Sequence, residues 1–286
     1  MIICIAGPTG IGKTKLSVML AKKYDAIIVN ADATQIYKEL NIGSAKETEE
    51  EMNGVKQILL DIKTPDEDFS VMEYQKIARK TLEDNKDKNI VVVGGTGLYL
   101  KALFYDYEFL KNSDENFDNY SNEELYKMAL KKDENVDIHP NNRVRLVNFL
   151  KKEKISCNGD KLLYDDVIFI GLTLDREKLY ERAYKRVDEM FDLGLEDEVK
   201  SLQKKYPNSN ILKRAIGYKE FIDYFDGRIT LDDVKDLIKQ NTRHYIKRQY
   251  TWFNNKMDLN WFNVNLNNFD ETYEEVDAFI KSLNSK

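Results

Sequence analysis

Short apolar runs alternate with a helical pattern along the first third of the chain. Ile2 to Ile5 form one run, residues 26 to 30 form a second, and residues 89 to 94 form a third that is rich in valine. Residues 15 to 24 lie between the first two and place apolar side chains at helical spacing, namely Leu16, Met19 and Leu20. Apolar runs that alternate with helices indicate parallel strands buried on both faces. We therefore predict an α/β fold with a parallel sheet flanked by helices.

The pattern changes after Tyr105. Residues 111 to 137 are polar and rich in asparagine, and Ser121 precedes Glu124 at the spacing of a helix capping box. Strand character returns at residues 167 to 175, and the patterns from there onward are helical. We predict a core formed by residues 1–106 together with 161–286, and a small, mostly helical insertion at residues 107–160.

The segment GPTGIGKT follows the first predicted strand and precedes the first predicted helix. It matches the phosphate-binding pattern GxxxxGK[ST] in the structural context that the pattern requires, which predicts a P-loop NTPase-like fold. Its glycines let the backbone curl around an anion, its lysine adds a positive charge, and its threonine hydroxyl is placed to ligate Mg²⁺. The predicted phosphate or nucleotide site is Gly7, Pro8, Thr9, Gly10, Ile11, Gly12, Lys13 and Thr14, with Thr14 as the metal ligand. By itself this loop points to ATP.

Two polar side chains follow other predicted strands. Asp32 comes just after residues 26 to 30, and Thr96 comes after the glycine pair that ends the third run. The carboxyl ends of parallel strands meet at one edge of a sheet, where ligands of open α/β folds bind. Asp32 could accept a proton there, or it could cap a helix that begins near Ala33; Thr96 could be a simple turn residue. Asp61 is a weaker candidate for the metal-holding acid of a P-loop hydrolase.

Charge is unevenly distributed. The chain of 286 residues has a formal net charge of −6, which alone argues against a nucleic-acid partner. Residues 239 to 257, however, contain no acid and five cations, which predicts a local face for phosphate groups: Lys239, Arg243, Lys247, Arg248 and Lys256. We expect most aromatic side chains of this segment to be core, namely Tyr245, Tyr250, Trp252 and Phe253.

A second set of cations lies upstream of that segment. Lys178, Arg182 and Arg186 are four residues apart, so they share one helical face. The face is either solvated or a clamp for the charge of a leaving phosphate.

Cysteine and histidine are scarce. Two cysteines, Cys4 and Cys157, do not suggest a disulfide framework, and with His139 and His244 they form no zinc pattern. Any metal is then a hard cation held by oxygens. No stretch approaches the roughly 18 apolar residues of a membrane span, and the N-terminus leads directly into a strand without room for a signal peptide. We expect a cytoplasmic monomer with no membrane partner.

The motifs occur in a fixed order along nearly the whole chain: AGPTGIGKT, NADATQIYKELNIGSAK, VVGGTGLYLKAL, ERAYKRVDEMFDLGLEDEV, RAIGYKE and TRHYIKRQYTWF. In this order they resemble the tRNA dimethylallyltransferases, also called tRNA isopentenyltransferases. The resemblance implies a Mg²⁺-dependent transfer of the allyl group from dimethylallyl diphosphate to N6 of adenine 37. That base lies beside the anticodon in tRNAs that read codons beginning with U.

The resemblance also implies roles for individual residues. Asp32 is the general base, Thr96 and Arg186 are catalytic, and Arg182 binds the diphosphate together with the phosphate loop. The implied contacts to the tRNA anticodon stem-loop are Asp32, Ala33, Thr34, Gln35, Thr96, Arg145, Arg214, Gly217, Tyr218, Lys219, Arg243, Lys247 and Arg248.

The chain departs from the family pattern at several positions. Ala33 replaces a serine, Gln57 and Ile58 replace paired histidines, Asn148 and Asn254 replace arginines, and the insertion is shortened. Two alternatives remain open at this point. One is a P-loop kinase for a small molecule, and the other is a tRNA-binding protein with a decayed site.

Overall fold

The computed structural model describes residues 1–109, 115–151 and 161–284. The strands are β1 (Ile2–Ala6), β2 (Ala26–Asn30), β3 (Gln57–Ile58), β4 (Asn89–Gly94), β5 (Val167–Thr173) and β6 (Asn260–Asn263). The helices are α1 (Lys13–Tyr24), α2 (Glu49–Met52), α3 (Val71–Asp84), α4 (Gly97–Phe104), α5 (Asn122–Lys132), α6 (Arg143–Lys151), α7 (Arg176–Asp192), α8 (Leu195–Lys205), α9 (Phe221–Phe225), α10 (Leu231–Lys256) and α11 (Phe269–Asn284). Across these described residues, no helix is long and apolar enough to cross a membrane.

The strands form one parallel sheet in the order β3-β2-β4-β1-β5-β6. Nearly every residue of β1, β2, β4 and β5 is buried, as expected for strands covered by helices on both faces. The predicted α/β class is confirmed. The all-helical expectation beyond residue 175 is wrong at β6, an edge strand whose side chains are mostly exposed and which therefore has no continuous apolar run.

The main core lies between the sheet and its helices. It includes Ile3, Ile5, Leu16, Leu20, Val91, Ile170, Leu179, Ile246, Val276 and Ile280. The expectation that aromatic residues of the acid-free segment belong to the core is confirmed for Tyr250 and Phe253, both buried on α10. Cys4 is a buried free thiol, and Cys157 lies outside the described residues.

The chain divides into two compact units. One comprises Met1–Phe104 and Tyr164–Lys286, and the other is Tyr105–Leu163. The second unit contains α5 and α6, which bury Phe117, Leu125, Ala129, Leu146 and Leu150 between them. Helix α5 begins with the predicted capping box of Ser121 and Glu124.

Candidate functional site

The phosphate loop, residues 7–14, connects β1 to α1. Gly7, Gly10 and Gly12 have φ angles of 150°, 78° and 104°, which side chains adopt only with strain. The loop therefore ends with backbone N–H groups at the positive end of α1, where an anion is favoured. Lys13 bends back so that its Nζ donates to the carbonyl of Pro8 at 2.8 Å.

Burial of the Lys13 side chain disfavours its protonated form. It lowers the pKa of Lys13 to about 8; nearby Asp32 opposes this shift, Arg186 adds to it, and Glu47 opposes it. A bound anion would restore the full positive charge, because a negative neighbour favours the protonated amine.

Asp32 lies in a turn directly after β2. Its Oδ1 accepts hydrogen bonds from the backbone N–H groups of Thr34 at 2.9 Å and Gln35 at 3.4 Å. No helix begins at Ala33, so the helix-capping alternative is wrong and the carboxylate caps a turn instead. The N–H of Ala33 donates to Thr96 Oγ1 at 3.0 Å. Since β2 and β4 are neighbours in the sheet, Asp32 and Thr96 meet at one edge, as predicted.

Two arginines of α7 reach different loops beside Asp32. Arg182 Nε donates to the carbonyl of Gly10 at 2.7 Å, and Arg186 Nη2 donates to the carbonyl of Ala45 at 3.1 Å. Arg182 is exposed, whereas burial lowers the pKa of Arg186, with Glu47 opposing that shift. A merely solvated face does not account for Arg186, so the geometry favours the phosphate clamp. Lys178, on the same face, lines a separate cavity of about 760 Å³.

Glu47 and Gln249 were not among the predicted site residues. The hydroxyl of Thr14 donates to Glu47 Oε1. Gln249 accepts a hydrogen bond from the N–H of Thr9 and donates one to the carbonyl of Gly95, each at 3.0 Å. Gln249 lies in the acid-free segment, which is the one signal that could have indicated it. No motif indicated Glu47.

A cavity of about 330 Å³ includes Asp32, Arg186 and two residues of the phosphate loop, Thr9 and Gly10, in its lining. The other predicted catalytic and phosphate-binding residues do not line it, namely Gly7, Pro8, Ile11, Gly12, Lys13, Thr14, Thr96 and Arg182. Its polar lining is Thr9, Gly10, Asp32, Thr34, Ser44, Arg186, Arg214, Lys219, Thr242, Tyr245 and Arg248. Its apolar lining is Ala183, Val187, Met190, Ile211, Ala215, Ile216 and Ile238. A cavity lined by cations, a carboxylate and aliphatic side chains suits a charged group joined to a short apolar chain.

Two of the predicted tRNA contacts, Ala33 and Thr96, are joined by a hydrogen bond and do not line the cavity. The others separate into three groups. Thr34, Arg214, Gly217, Lys219 and Arg248 line the cavity, together with Asp32. Arg243 and Lys247 are exposed on α10, and Arg145 is exposed on α6 of the second unit. Gln35 and Tyr218 form the third group.

The side chains of Gln35 and Tyr218 both form hydrogen bonds inside the protein. Gln35 is 8% exposed, and its Nε2 donates to the carbonyls of Ser44 at 3.4 Å and Ala45 at 3.2 Å. Tyr218 is 0% exposed, and its hydroxyl donates to Glu198 at 2.8 Å. The tRNA contact of these two residues stays a prediction, and the structure shows that both side chains already form hydrogen bonds inside the protein.

Asp61, the weaker candidate for a metal-holding acid, forms an ion pair with Lys46. Its Oδ1 lies 2.6 Å from Lys46 Nζ, and the ammonium group is almost completely buried. The same ammonium donates to the carbonyl of Tyr37 at 2.9 Å and to Asn41 Oδ1 at 3.1 Å. The Asp61 carboxylate is therefore committed to compensating a buried charge.

The parallel sheet and the loop between β1 and α1 define a P-loop-like α/β fold. The carboxylate at the sheet edge and the arginine pair lie beside that loop. The IPP transferase family model matches residues 35–256. The chain belongs to the IPP transferase family.

Named relatives agree over most of the chain. A tRNA dimethylallyltransferase of Bacillus pumilus is 41% identical and aligns over 98% of this chain and 95% of its own. A tRNA dimethylallyltransferase of Fusobacterium nucleatum is 44% identical and aligns over 92% of this chain and 91% of its own.

Solved structures show the same likeness. A tRNA delta(2)-isopentenylpyrophosphate transferase of Staphylococcus epidermidis has a TM-score of 0.76, with 35% identity and 98% of each chain covered. A eukaryotic dimethylallyltransferase acting on tRNA has a TM-score of 0.83 at 25% identity, covering 98% of this chain and 79% of the other. The resemblance inferred from the motifs is confirmed, and the comparisons favour a prenyltransferase over the kinase alternative.

Proposed function

We propose that this protein transfers the dimethylallyl group from dimethylallyl diphosphate to N6 of adenosine 37 in tRNAs that read codons beginning with U, and releases diphosphate. The observation that carries the proposal is that Thr9 and Gly10 of the phosphate loop line the same cavity as Asp32 and Arg186. The named relatives support the reaction class, since they are tRNA dimethylallyltransferases. We expect a monomeric enzyme that works in the cytoplasm.

The leaving group is the diphosphate. When the bond between the allyl carbon and oxygen breaks, negative charge accumulates on the diphosphate, and fixed positive groups stabilise that charge. Lys13 and the N–H groups of the loop lie at the end of α1, while Arg182 and Arg186 approach from α7. The phosphate loop would thus hold a leaving group. ATP could bind the same loop as a competitor of the donor.

The residues of the loop fit a magnesium ion. The Thr14 hydroxyl and the Glu47 carboxylate are in hydrogen-bond contact, and both are oxygen donors of the kind that Mg²⁺ prefers. Within residues 1–109, 115–151 and 161–284, no group of three or more His, Cys, Asp or Glu side chains could hold a metal. Thr14 and Glu47 are the residues that would hold the ion. When bound, Mg²⁺ would neutralise charge on the leaving group.

Asp32 is the proposed general base. Both of its hydrogen bonds from the turn end on Oδ1, so Oδ2 is the oxygen assigned to the proton. The adenine N6 forms a bond to the allyl carbon as the carbon–oxygen bond to diphosphate breaks, and the N6 proton passes to Asp32. The base must leave the anticodon stack to reach the cavity.

Cations around the cavity are proposed to contact the tRNA backbone. Arg214, Lys219 and Arg248 line the cavity, and Arg243 and Lys247 are exposed on the acid-free segment of α10. Such contacts provide affinity that falls with salt, even for a protein with a net charge of −6. Arg145 of the second unit is a further proposed contact, with the anticodon stem-loop as the partner.

The test supplies purified protein with Mg²⁺, dimethylallyl diphosphate and tRNA that has adenosine at position 37. Nucleoside mass spectrometry is expected to detect N6-dimethylallyladenosine. This product should be absent when the adenosine at position 37 is replaced. Absence of product with several tRNAs that read codons beginning with U would contradict the proposal. Binding of tRNA without product would instead support a decayed site, and phosphate transfer from ATP without tRNA would support a kinase.

A further inference from the structure

The 41–47 loop forms the side of the site that faces the phosphate loop. Gly43, Ser44 and Ala45 line the cavity. The carbonyl of Ala45 accepts hydrogen bonds from Arg186 and Gln35, and Glu47 accepts one from Thr14. The conformation of this loop therefore determines where Arg186 and Thr14 lie.

Glu198 of α8 binds this loop from outside the cavity. Its Oε2 accepts the backbone N–H groups of Asn41 at 3.1 Å and Ile42 at 2.8 Å. Its Oε1 accepts the N–H of Gly43 at 3.1 Å and the hydroxyl of Tyr218 at 2.8 Å. One carboxylate thus satisfies three consecutive backbone donors, and its charge strengthens each bond.

Tyr218 supports the same arrangement through its ring. A Cβ placed on Gly43 would lie 2.6 Å from the Tyr218 ring, so the ring is pressed directly against the backbone of the loop. The hydroxyl of this fully buried ring ends on Glu198. The carboxylate and the ring together restrain the loop over Asn41 to Gly43.

We infer that Glu198 is a positioning residue, which holds the 41–47 loop so that Ala45 orients Arg186 and Glu47 contacts Thr14, and thereby sets the affinity for diphosphate. Glu198 itself does not line the cavity, so it acts through the loop. The identity of the diphosphate donor rests on the proposed function, whereas the restraint of the loop does not.

Glu198→Gln is the test variant, because its amide replaces one accepting oxygen by a donor that faces backbone N–H groups. Glu196→Gln is the matched control. Glu196 lies on the same helix, accepts the Tyr224 hydroxyl at 2.9 Å and does not line the cavity. We expect Glu198→Gln to weaken binding of inorganic diphosphate with Mg²⁺ by about 10-fold or more in calorimetry, with the control unchanged.

Two local measurements separate positioning from general destabilisation. Hydrogen exchange at residues 41 to 43 is expected to accelerate in Glu198→Gln and to stay unchanged in Glu196→Gln. In steady-state assays the KM for the allyl donor is expected to rise by a similar factor. Partial unfolding would lower kcat without changing KM, because it only reduces the concentration of active enzyme.

The outcomes distinguish this inference from the proposed function. If wild-type protein prenylates no tRNA but Glu198→Gln still weakens diphosphate binding, the proposed function fails and the positioning role holds. If Glu198→Gln equals the control in diphosphate affinity and in exchange at residues 41 to 43, the positioning role is overturned. Should Glu198→Gln not fold, Tyr218→Phe decides: it keeps the ring and removes one bond, and affinity equal to the control would overturn the role.

Discussion

The phosphate loop and the 41–47 loop meet at one site but acquire their shapes differently. Three glycines with positive φ shape the phosphate loop from within. The 41–47 loop contains Ala45 at a φ of 49° and is held from outside by Glu198 and Arg186, which lie far away in the sequence. Helix α7 contacts both loops, because Arg182 donates a hydrogen bond to the phosphate loop and Arg186 donates one to the 41–47 loop. The phosphate loop is shaped by its own glycines, whereas the 41–47 loop is held by side chains from distant parts of the sequence.

The largest expected effect concerns proton transfer. Asp32→Asn keeps an acceptor for the turn but removes the base, so kcat should fall by about 10²- to 10⁴-fold, the usual contribution of a general base. Diphosphate binding, measured by calorimetry, should remain because the phosphate loop is intact. Asp25→Asn is the control; it removes the same charge at an exposed position with a φ of 49°, which asparagine tolerates. If the Asp32→Asn variant turned over at the wild-type rate, Asp32 would be excluded as the general base.

The two arginines test the comparison directly. Arg186→Ala should lower kcat/KM for the allyl donor by about 100-fold, since a half-buried guanidinium acts in a low-dielectric site. Arg182→Ala should lower it by about 10-fold, because an exposed charge is screened. Steady-state kinetics at fixed tRNA would measure both. If both variants lost the same factor in kcat/KM, the burial of Arg186 and its contact with the 41–47 loop would not increase its contribution to catalysis.

Glycine substitutions test how the phosphate loop is shaped. A Cβ on Gly12 would lie 2.8 Å from the Phe269 ring at a φ of 104°, whereas one on Gly10 would meet nothing within 4 Å at a φ of 78°. Gly12→Ala should therefore lower the free energy of unfolding by about 2 kcal/mol or more, and Gly10→Ala by about 1 kcal/mol, since overpacking adds to strain. Denaturant titration would compare them. The contact with Phe269 would be unimportant if both variants lost the same amount.

The smallest expected effect is a pH dependence of diphosphate binding. The Lys13 pKa is lowered to about 8 and must rise again when an anion binds. Above pH 8 the free protein must therefore take up a proton to bind, and affinity should fall by up to tenfold per pH unit. Below pH 8 this dependence should disappear. Lys13→Arg is the control, because arginine does not titrate in this range and any remaining slope belongs to the diphosphate itself. Equal slopes in both proteins would contradict the shifted pKa.

Much of the fold could be predicted because its signals are local. The strands β1, β2, β4 and β5 are continuous apolar runs, and burial on both faces requires such runs. The edge strands β3 and β6 were not predictable, since β3 has two residues and β6 has mostly exposed side chains. Their pairing depends on the neighbouring strand and leaves no pattern in their own residues.

The site shows the same division. By itself the sequence determined the phosphate loop, the position of Asp32 after β2 and the family, because glycine spacing, strand order and motif order are written along the chain. Only the tertiary structure decided that Glu47, Gln249 and Glu198 join the site, and that Gln35, Tyr218 and Asp61 are used internally. The physical reason is distance: a hydrogen bond such as that between Thr9 and Gln249 joins residues 240 positions apart. Such residues become neighbours only when the chain folds, so no local sequence pattern predicts the contact.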